Sequence, residues 1–224
     1  MRYEFLSYAL AEGKNPVYGG AQSIAIQTRK SIAQGDAANV FSFTMENHWG
    51  THVDAPNHFF NNGMKIYEYP PEFWFFKNPQ VLRVSLQPSE VINEIQGIAP
   101  QTDLLLIQSD WCKQRHENAY VKYNPGIAPE VGFYLRKQYP HLRAVGIDWI
   151  SVSPYADRQL GRLTHRAFLD PDGQNAPILL IEDMNLSMEL ASLREVVVFP
   201  LRIERLDSAP CTAIGLCDDK VYNI

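Results

Sequence analysis

A short segment of the chain collects the residue types that bind transition metals. Three of the six histidines, His48, His52 and His58, lie in it together with Asp54. Imidazole and carboxylate groups suit divalent zinc, manganese or iron. Six histidines scattered at random over 224 residues would rarely gather so closely. The segment therefore predicts a metal site, against the alternative of a polar loop whose histidines only cap and solvate.

The spacing of the first two histidines limits how they could share an ion. If residues 48–54 were fully extended, His48 and His52 would lie about 13 Å apart, which is too far for one ion. A helical turn would bring positions i and i+4 to about 6 Å. A bend at Gly50 would also let them converge, because glycine has no Cβ to obstruct a sharp turn. Pro56 would end a helix soon afterwards.

Two imidazoles and a carboxylate leave coordination positions open, which distinguishes a catalytic metal site from a structural one. Asp54 could supply one oxygen or bridge two ions with both. A divalent ion brings the pKa of its bound water to about 7. His58 follows the ligand run, and a histidine beside such a water is expected to act as general acid and base. A third ligand or a surface role for His58 are the alternatives.

Two distant residues are candidate partners for this segment. His165 lies on a predicted helix over 159–168, and Glu182 ends a predicted strand over 177–182. Active-site residues of α/β folds collect at such strand ends. From the residues alone, each also has a purely structural explanation, as a satisfied helical histidine and as a solvated strand end.

The elements that must position these residues alternate between strands and short helical stretches, which is typical of an α/β domain. Neither an internal repeat nor a linker divides the chain, so one domain is predicted over 1–224. The predicted strands are 3–10 (or an extended arm), 23–29, 40–45, 80–84, 103–108, 144–148, 177–182 and 196–203. The predicted helices are 129–139 and 159–168, with a short helix or turn at 91–98.

Composition excludes several classes of partner. The net charge of −5 leaves no basic stripe to neutralise phosphates, so no nucleic acid is expected. No apolar run approaches the length of about 20 residues that spans a bilayer, so no membrane partner is expected. The first residues show no signal-peptide pattern, and three cysteines fit no closed disulfide framework. A cytoplasmic protein with a small-molecule substrate is the expectation.

The segment His48–Phe59 resembles the HxGTHxDxPxHF signature of the metal-dependent cyclase-like hydrolases, a family that includes bacterial kynurenine formamidase and isatin hydrolase. Gly146–Pro154 resembles the GxDxxSxDP segment of that family. His165, together with the strand in Pro177–Leu186, resembles its later histidine and strand, and Phe199–Pro210 resembles its closing strands. The resemblance extends over most of the chain.

The resemblance implies five metal ligands, and these are His48, His52, Asp54, His165 and Glu182. Asp54 takes the place of a carboxylate that bridges two ions, and His58 takes the place of the catalytic acid and base. The family also implies a swivelling β/β/α-type fold, which is a mixed sheet or barrel with short helices. One or two divalent ions per chain are implied, zinc first with manganese or iron as alternatives, and a homodimer or homotetramer.

Several segments depart from the family pattern near the expected substrate pocket. The Arg-Thr-Gly-like turn is replaced by Gln108–Asp110, the Ser-x-Asp-Pro loop reads Ser151–Pro154, and residues 170–175 look like an insert. The predicted function is a metal-dependent hydrolase that cleaves an amide, formamide or lactam C–N bond of a small molecule. A cyclase or dehydratase acting on a biosynthetic intermediate, and a non-catalytic metal-retaining binding protein, are the alternatives.

Overall fold

A computed structural model describes residues 1–13, 16–19 and 24–219. The strands of these residues are β1 (Arg2–Phe5), β2 (Ala25–Lys30), β3 (Val40–Thr44), β4 (His52–Asp54), β5 (Phe75–Phe76), β6 (Pro79–Arg83), β7 (Val91–Ile92), β8 (Leu104–Gln108), β9 (Gly126–Ile127), β10 (Ala144–Ile147), β11 (Leu179–Glu182), β12 (Leu193–Pro200) and β13 (Ser208–Cys217). The α-helices are α1 (Asn118–Lys122), α2 (Pro129–Gln138) and α3 (Arg158–Leu169). Short 3-10 helices occupy Ile32–Gln34, Pro56–His58, Ile66–Glu68, Pro71–Trp74 and Trp111–Gln114.

The main sheet has nine strands in the order β5-β12-β13-β4-β11-β10-β8-β6, and β1 pairs with β13 outside this order. The half formed by β6, β8, β10 and β11 is parallel, and the other half is antiparallel. Only Lys77 and Asn78 separate β5 from β6, at the two ends of the sheet. Their backbone N–H groups donate to the Asp103 carboxylate at 2.9 and 3.0 Å. The sheet therefore curls into a nearly closed barrel, and the predicted mixed α/β fold with short helices is confirmed.

The central strand β8 shows how the two sides of this sheet are filled. Successive side chains of a strand point to opposite faces. Leu105 and Ile107 pack with residues of α2 and α3. Leu104 and Leu106 belong to the second core cluster, inside the curled sheet. Because both faces are covered, the strand is a continuous apolar run rather than an alternating one.

Helix α3 carries His165, and its ends follow from local chemistry. The Asp157 side chain accepts a hydrogen bond from the Leu160 N–H at 2.9 Å and so caps the first turn. The helix begins one residue before the predicted position and ends one residue after it. The buried side of the helix includes His165 and Phe168.

The helix or turn predicted over 91–98 is wrong. Val91–Ile92 form strand β7, which pairs in parallel with β9. The three buried isoleucines of this segment recur every third residue, and this spacing resembles one face of a helix. The backbone pairs with another segment instead, since the Ala128 N–H donates to the Ile92 carbonyl at 2.9 Å. The first residue of the strand predicted over 23–29, Ser23, lies outside the described residues.

Strands β2 and β3 pair only with each other, apart from the main sheet. Every residue of β2 is exposed. The large apolar side chains Val40, Phe41 and Phe43 of β3 are also exposed, the two phenylalanines at 59% each.

No described helix combines the length and the apolar character needed to cross a membrane.

Candidate metal centre

The turn before β4 brings the first two histidines together. Gly50 has a φ of +68°, in the left-handed region that favours glycine. A Cβ at this position would collide with the Leu10 side chain. The ring centroids of His48 and His52 lie 5.4 Å apart across the turn. Of the two conformations that the spacing allows, the chain adopts the bend at Gly50.

Strand β4 lies between β11 and β13, and its register sets the centre of the site. His52 and Asp54 are two residues apart, so their side chains share one face of the sheet. In the antiparallel ladder with β11, His52 is opposite Glu182. The Nε2 atom of His52 consequently lies 3.5 Å from Asp54 Oδ1 and 3.5 Å from Glu182 Oε2.

Helix α3 brings His165 to the same point. Its Nε2 atom lies 3.4 Å from Asp54 Oδ2 and 3.5 Å from Glu182 Oε1. Its Nδ1 atom lies 2.8 Å from the Gly161 carbonyl oxygen. Because a carbonyl oxygen only accepts, Nδ1 carries the proton, and in the neutral ring Nε2 has a free lone pair. A hydrogen bond of the same kind, at 2.8 Å, joins His52 Nδ1 to the Gly50 carbonyl.

His48 and His58 both contact Asp207, a residue that the sequence analysis did not identify as a candidate. His48 Nδ1 lies 3.0 Å from Asp54 Oδ1, and its Nε2 lies 3.3 Å from Asp207 Oδ2. His58 Nδ1 lies 2.7 Å from the same Asp207 oxygen. The other Asp207 oxygen accepts a hydrogen bond from Asn47 Nδ2 at 2.7 Å. Asp207 therefore links the His48 and His58 rings, whose centroids are 4.1 Å apart.

Opposed charges in this small volume shift the titration of several groups. Burial lowers the pKa of His48, but Asp54 and Asp207 outweigh burial and raise this pKa to about 10. Burial also lowers the pKa of His165, and Asp54 and Glu182 raise it to about 10. Burial raises the pKa of Glu182, but His165 and His52 outweigh it and lower this pKa to about 2. Both carboxylates at the centre of the site stay ionised at neutral pH, since the pKa of Asp54 is also lowered.

The residues fit a divalent cation. Two groups place their possible ligand atoms within 4.8 Å of one another, namely His48, Asp54, His58 and His52, Asp54, Glu182. Asp54 belongs to both groups, and its buried Oδ1 atom accepts no well-directed hydrogen bond, although His48 is near. A buried carboxylate oxygen without a donor is costly. A cation would satisfy it, and the nitrogen and oxygen donors suit zinc, manganese or iron.

Asp183, the residue after Glu182, forms a separate ion pair with Arg115. Arg115 Nε and Nη2 donate to the Asp183 oxygens at 2.8 and 2.5 Å. The Tyr120 hydroxyl donates to the same carboxylate at 2.6 Å. Asp183 is 2% exposed, so this pair is buried. It anchors the chain immediately beyond the end of β11.

The ligand-type side chains lie at the buried end of a cavity of about 320 Å³. Trp49, Phe59 and Ile150 contribute apolar walls, and the Phe59 ring stacks on His165 at 4.9 Å. Of the three segments that depart from the family pattern, only Ser151–Pro154 contributes to the lining. Residues 108–110 and 170–175 are not part of the lining of this cavity.

The loop at Ser151–Pro154 holds one of the central carboxylates. Glu182 Oε1 accepts hydrogen bonds from the Val152 N–H at 2.8 Å and from the Ser151 hydroxyl at 3.1 Å. The aspartate that the family pattern would place in this loop is thus not needed to anchor Glu182.

A barrel-like α/β sheet with histidines and carboxylates around a cavity is the arrangement that the resemblance to the cyclase-like hydrolases implied. Comparison with protein families agrees with this class. The Cyclase family model matches residues 5–154, and the chain belongs to this family. A kynurenine formamidase from Geobacillus thermodenitrificans is 28% identical over 205 residues, covering 88% of this chain and 90% of the relative. An uncharacterised protein from Haemophilus influenzae is 32% identical over 123 residues, covering 52% of this chain and 86% of the relative.

Solved structures share the fold at lower identity. Isatin hydrolase A from Labrenzia aggregata superposes with a TM-score of 0.81 at 18% identity, covering 97% of this chain and 94% of that protein. A predicted metal-dependent hydrolase from Bacillus stearothermophilus gives a TM-score of 0.65 at 19% identity, covering 96% of this chain and 97% of that protein.

Proposed function

We propose that the protein is a metal-dependent hydrolase that cleaves an amide, formamide or lactam C–N bond of a small molecule. The observation that carries this proposal is the convergence of five histidine and carboxylate side chains, Asp54 among them, at the buried end of a cavity, with His58 beside them. Its relatives named as kynurenine formamidase and isatin hydrolase support the reaction class.

The ligands of the proposal are His48, His52, Asp54, His165 and Glu182, which hold one or two divalent ions per chain. Asp54 is the shared ligand because its two oxygens face different histidines. Zinc is proposed first, with manganese or iron as alternatives. When bound, the ion supplies Lewis acidity that polarises a carbonyl and makes a water more acidic.

His58 moves the proton in this proposal. Its Nδ1 atom donates to Asp207 at 2.7 Å, so Nε2 is the atom that exchanges protons. His58 Nε2 accepts the proton of the attacking water and returns it to the leaving nitrogen. Asp207 fixes the His58 tautomer in which Nδ1 carries the proton, and it stabilises the His58 imidazolium that forms between the two proton transfers. Asp207 is a positioning residue, because it acts through His58.

Metal analysis and turnover of two variants test these roles. Purified His58→Ala should lose turnover of the substrate that the wild type hydrolyses and keep its metal content. Asp54→Ala should bind little metal. His141→Ala is the control, because His141 is exposed and lies outside the cavity lining. Loss of metal from His58→Ala would make this residue a ligand, and full occupancy in Asp54→Ala would refute the bridging role.

The reaction class is tested with a substrate panel for the metal-loaded wild type. The panel contains N-formyl arylamines, lactams and an open-chain substrate for cyclisation. The last is included because one structural neighbour is described as a potential metal-dependent hydrolase with cyclase activity. Hydrolysis of a formamide or lactam is expected. No hydrolysis across the panel would refute the proposal, and turnover of the cyclisation substrate alone would replace it with the cyclase alternative.

We also propose that the chain assembles as a homodimer or homotetramer through the β2–β3 hairpin. An isolated two-stranded hairpin is marginally stable in water, yet this hairpin exposes Phe41 and Phe43. Apolar residues lie beside it, since Leu10, Phe199 of β12 and Leu201 line a groove that Phe43 also lines. A two-fold arrangement would place each hairpin on the groove of the partner copy.

A further inference from the structure

The outer part of the cavity contains two arginines on the same helix as His165. Arg158, Arg162 and His165 occupy positions i, i+4 and i+7 of α3, so they share one face. Both arginines line the cavity that reaches the metal centre. With a rise of about 1.5 Å per residue, Arg162 lies about 4.5 Å and Arg158 about 10 Å from His165 along the helix axis.

These guanidinium groups have no carboxylate partner in the described part of the chain. The ion pairs found there involve other arginines, for example those of Arg115 and Arg143. The Arg158 guanidinium instead lies 5.6 Å from the Tyr18 ring centroid and 5.1 Å from that of Tyr155. Contact with ring faces orients the guanidinium but leaves its in-plane N–H donors available to a ligand.

We propose that Arg158 and Arg162 form an anion subsite that selects amide substrates carrying a carboxylate. This inference rests on the proposed hydrolase function for its reaction, and on the arginine pair for its substrate class. The planar guanidinium fork matches a carboxylate. The apolar walls formed by Trp49, Phe59 and Ile150 suit a planar ring between the two ends of the substrate.

The distances define the shape of the substrate. In this proposal the scissile carbonyl sits at the ligand residues, and the carboxylate lies towards the arginines, whose backbone positions are about 5 and 10 Å from His165 along the helix axis. An aromatic formamide or anilide with a carboxylate on the far side of its ring has these dimensions. Glu46 also lines the cavity, so the test uses ligands without a cationic group, and only the arginines are then probed.

Equilibrium binding tests the subsite independently of turnover. Calorimetry compares 4-acetamidobenzoate with its neutral isostere 4-acetamidobenzamide on metal-loaded protein. The wild type should bind the carboxylate about tenfold more tightly or better. The Arg158→Gln/Arg162→Gln variant should bind the two compounds about equally. Arg166→Gln is the matched control, because Arg166 is on the same helix but lies over the Phe60 ring, outside the cavity lining.

Each outcome has a definite meaning. Equal affinity of the wild type for the two compounds, or no binding of either, overturns the subsite. A carboxylate preference that survives in the double variant also overturns it, because the carboxylate would then bind elsewhere, for example at the metal. If Arg166→Gln lost the preference for the carboxylate compound to the same extent as the double variant, the preference would come from the net charge of the protein and not from the subsite. Failure of the substrate panel with the binding preference intact refutes the hydrolase proposal and leaves the subsite standing.

The same variants give a kinetic readout if formamides are hydrolysed. The carboxylate of 4-formamidobenzoate should lower KM about tenfold relative to formanilide in the wild type, and this advantage should disappear in the double variant. Formanilide has no carboxylate and serves as the reference substrate for each variant, so the ratio of the two KM values reports the subsite. A fall in kcat for both substrates would instead show that the arginines support the metal centre.

Discussion

Asp207→Asn is the sharpest perturbation of the proposed proton carrier, because it removes a charge and keeps the shape. The Asp207 carboxylate accepts from His58 on one oxygen and from Asn47 on the other. An amide has only one oxygen. Whichever way it is oriented, its NH2 group faces a donor, either the Asn47 amide or the His58 ring N–H. One of the two hydrogen bonds is therefore lost in the variant.

The magnitude follows from the bond that is lost. A hydrogen bond to a charged group contributes about 1.5–3 kcal/mol, and a neutral one about 1 kcal/mol. Replacing the charged acceptor and removing one contact should weaken stabilisation of the His58 imidazolium by about 2 kcal/mol, which corresponds to a loss in kcat of about thirtyfold. Asp207 also contacts His48 at 3.3 Å, so metal affinity should fall by about tenfold as well.

The assay separates these two effects by measuring kcat at saturating metal, after a metal titration of each variant. Asp172→Asn is the control, because it removes one carboxylate charge from an exposed residue that pairs with Asn62 outside the cavity. The control should match the wild type. A kcat for Asp207→Asn within about twofold of the wild type at saturating metal would refute the role of Asp207 in positioning His58.

Three further predictions concern the metal, the assembly and the fold. Protons compete with the metal for His48 and His165, whose pKa values are raised to about 10. Metal affinity measured by calorimetry should therefore fall as pH falls from about 8 to about 6, by about tenfold per pH unit for each proton displaced, and a flat profile would contradict this. Phe43→Asp should convert the oligomer to monomers in sedimentation experiments, and an unchanged mass would rule out the hairpin interface. Arg115→Met should leave Asp183 as a buried unpaired charge and lower the free energy of unfolding in urea by about 3 kcal/mol, whereas a loss below about 1 kcal/mol would show that the pair is not needed for stability.

The fold was largely predictable where one local pattern dominates. The apolar run at 103–108 indicates a strand covered on both faces, and the observed strand Leu104–Gln108 is fully buried. The helix containing His165 is bounded by an N-cap and by the change to a polar loop, both of which are local signals. At 91–98, by contrast, the isoleucines have helical spacing, but Val91–Ile92 pair with a distant strand, and this cannot be read from the segment itself.

The candidate site was predictable only in part, because residue type identifies ligands better than it identifies their supports. His48, His52 and Asp54 stand out through their spacing. Asp207 does not, since it is one of many surface-type acids in the sequence and its importance comes from the β4–β13 register. In that ladder Asp54 is opposite Ser208, which places the preceding residue beside the histidines.

The loop at Ser151–Pro154 shows why divergence around this site need not weaken metal binding. Glu182 is held partly by the Val152 backbone N–H, a donor that every residue except proline supplies. The hydrogen bond to Glu182 therefore does not depend on which side chain stands at position 152, although Val152 itself is fully buried in the core. Side chains that point into the cavity have no such substitute, and Arg158 and Arg162 lie among them. Substrate selectivity can thus change through these cavity-facing side chains while the ligand geometry stays constant.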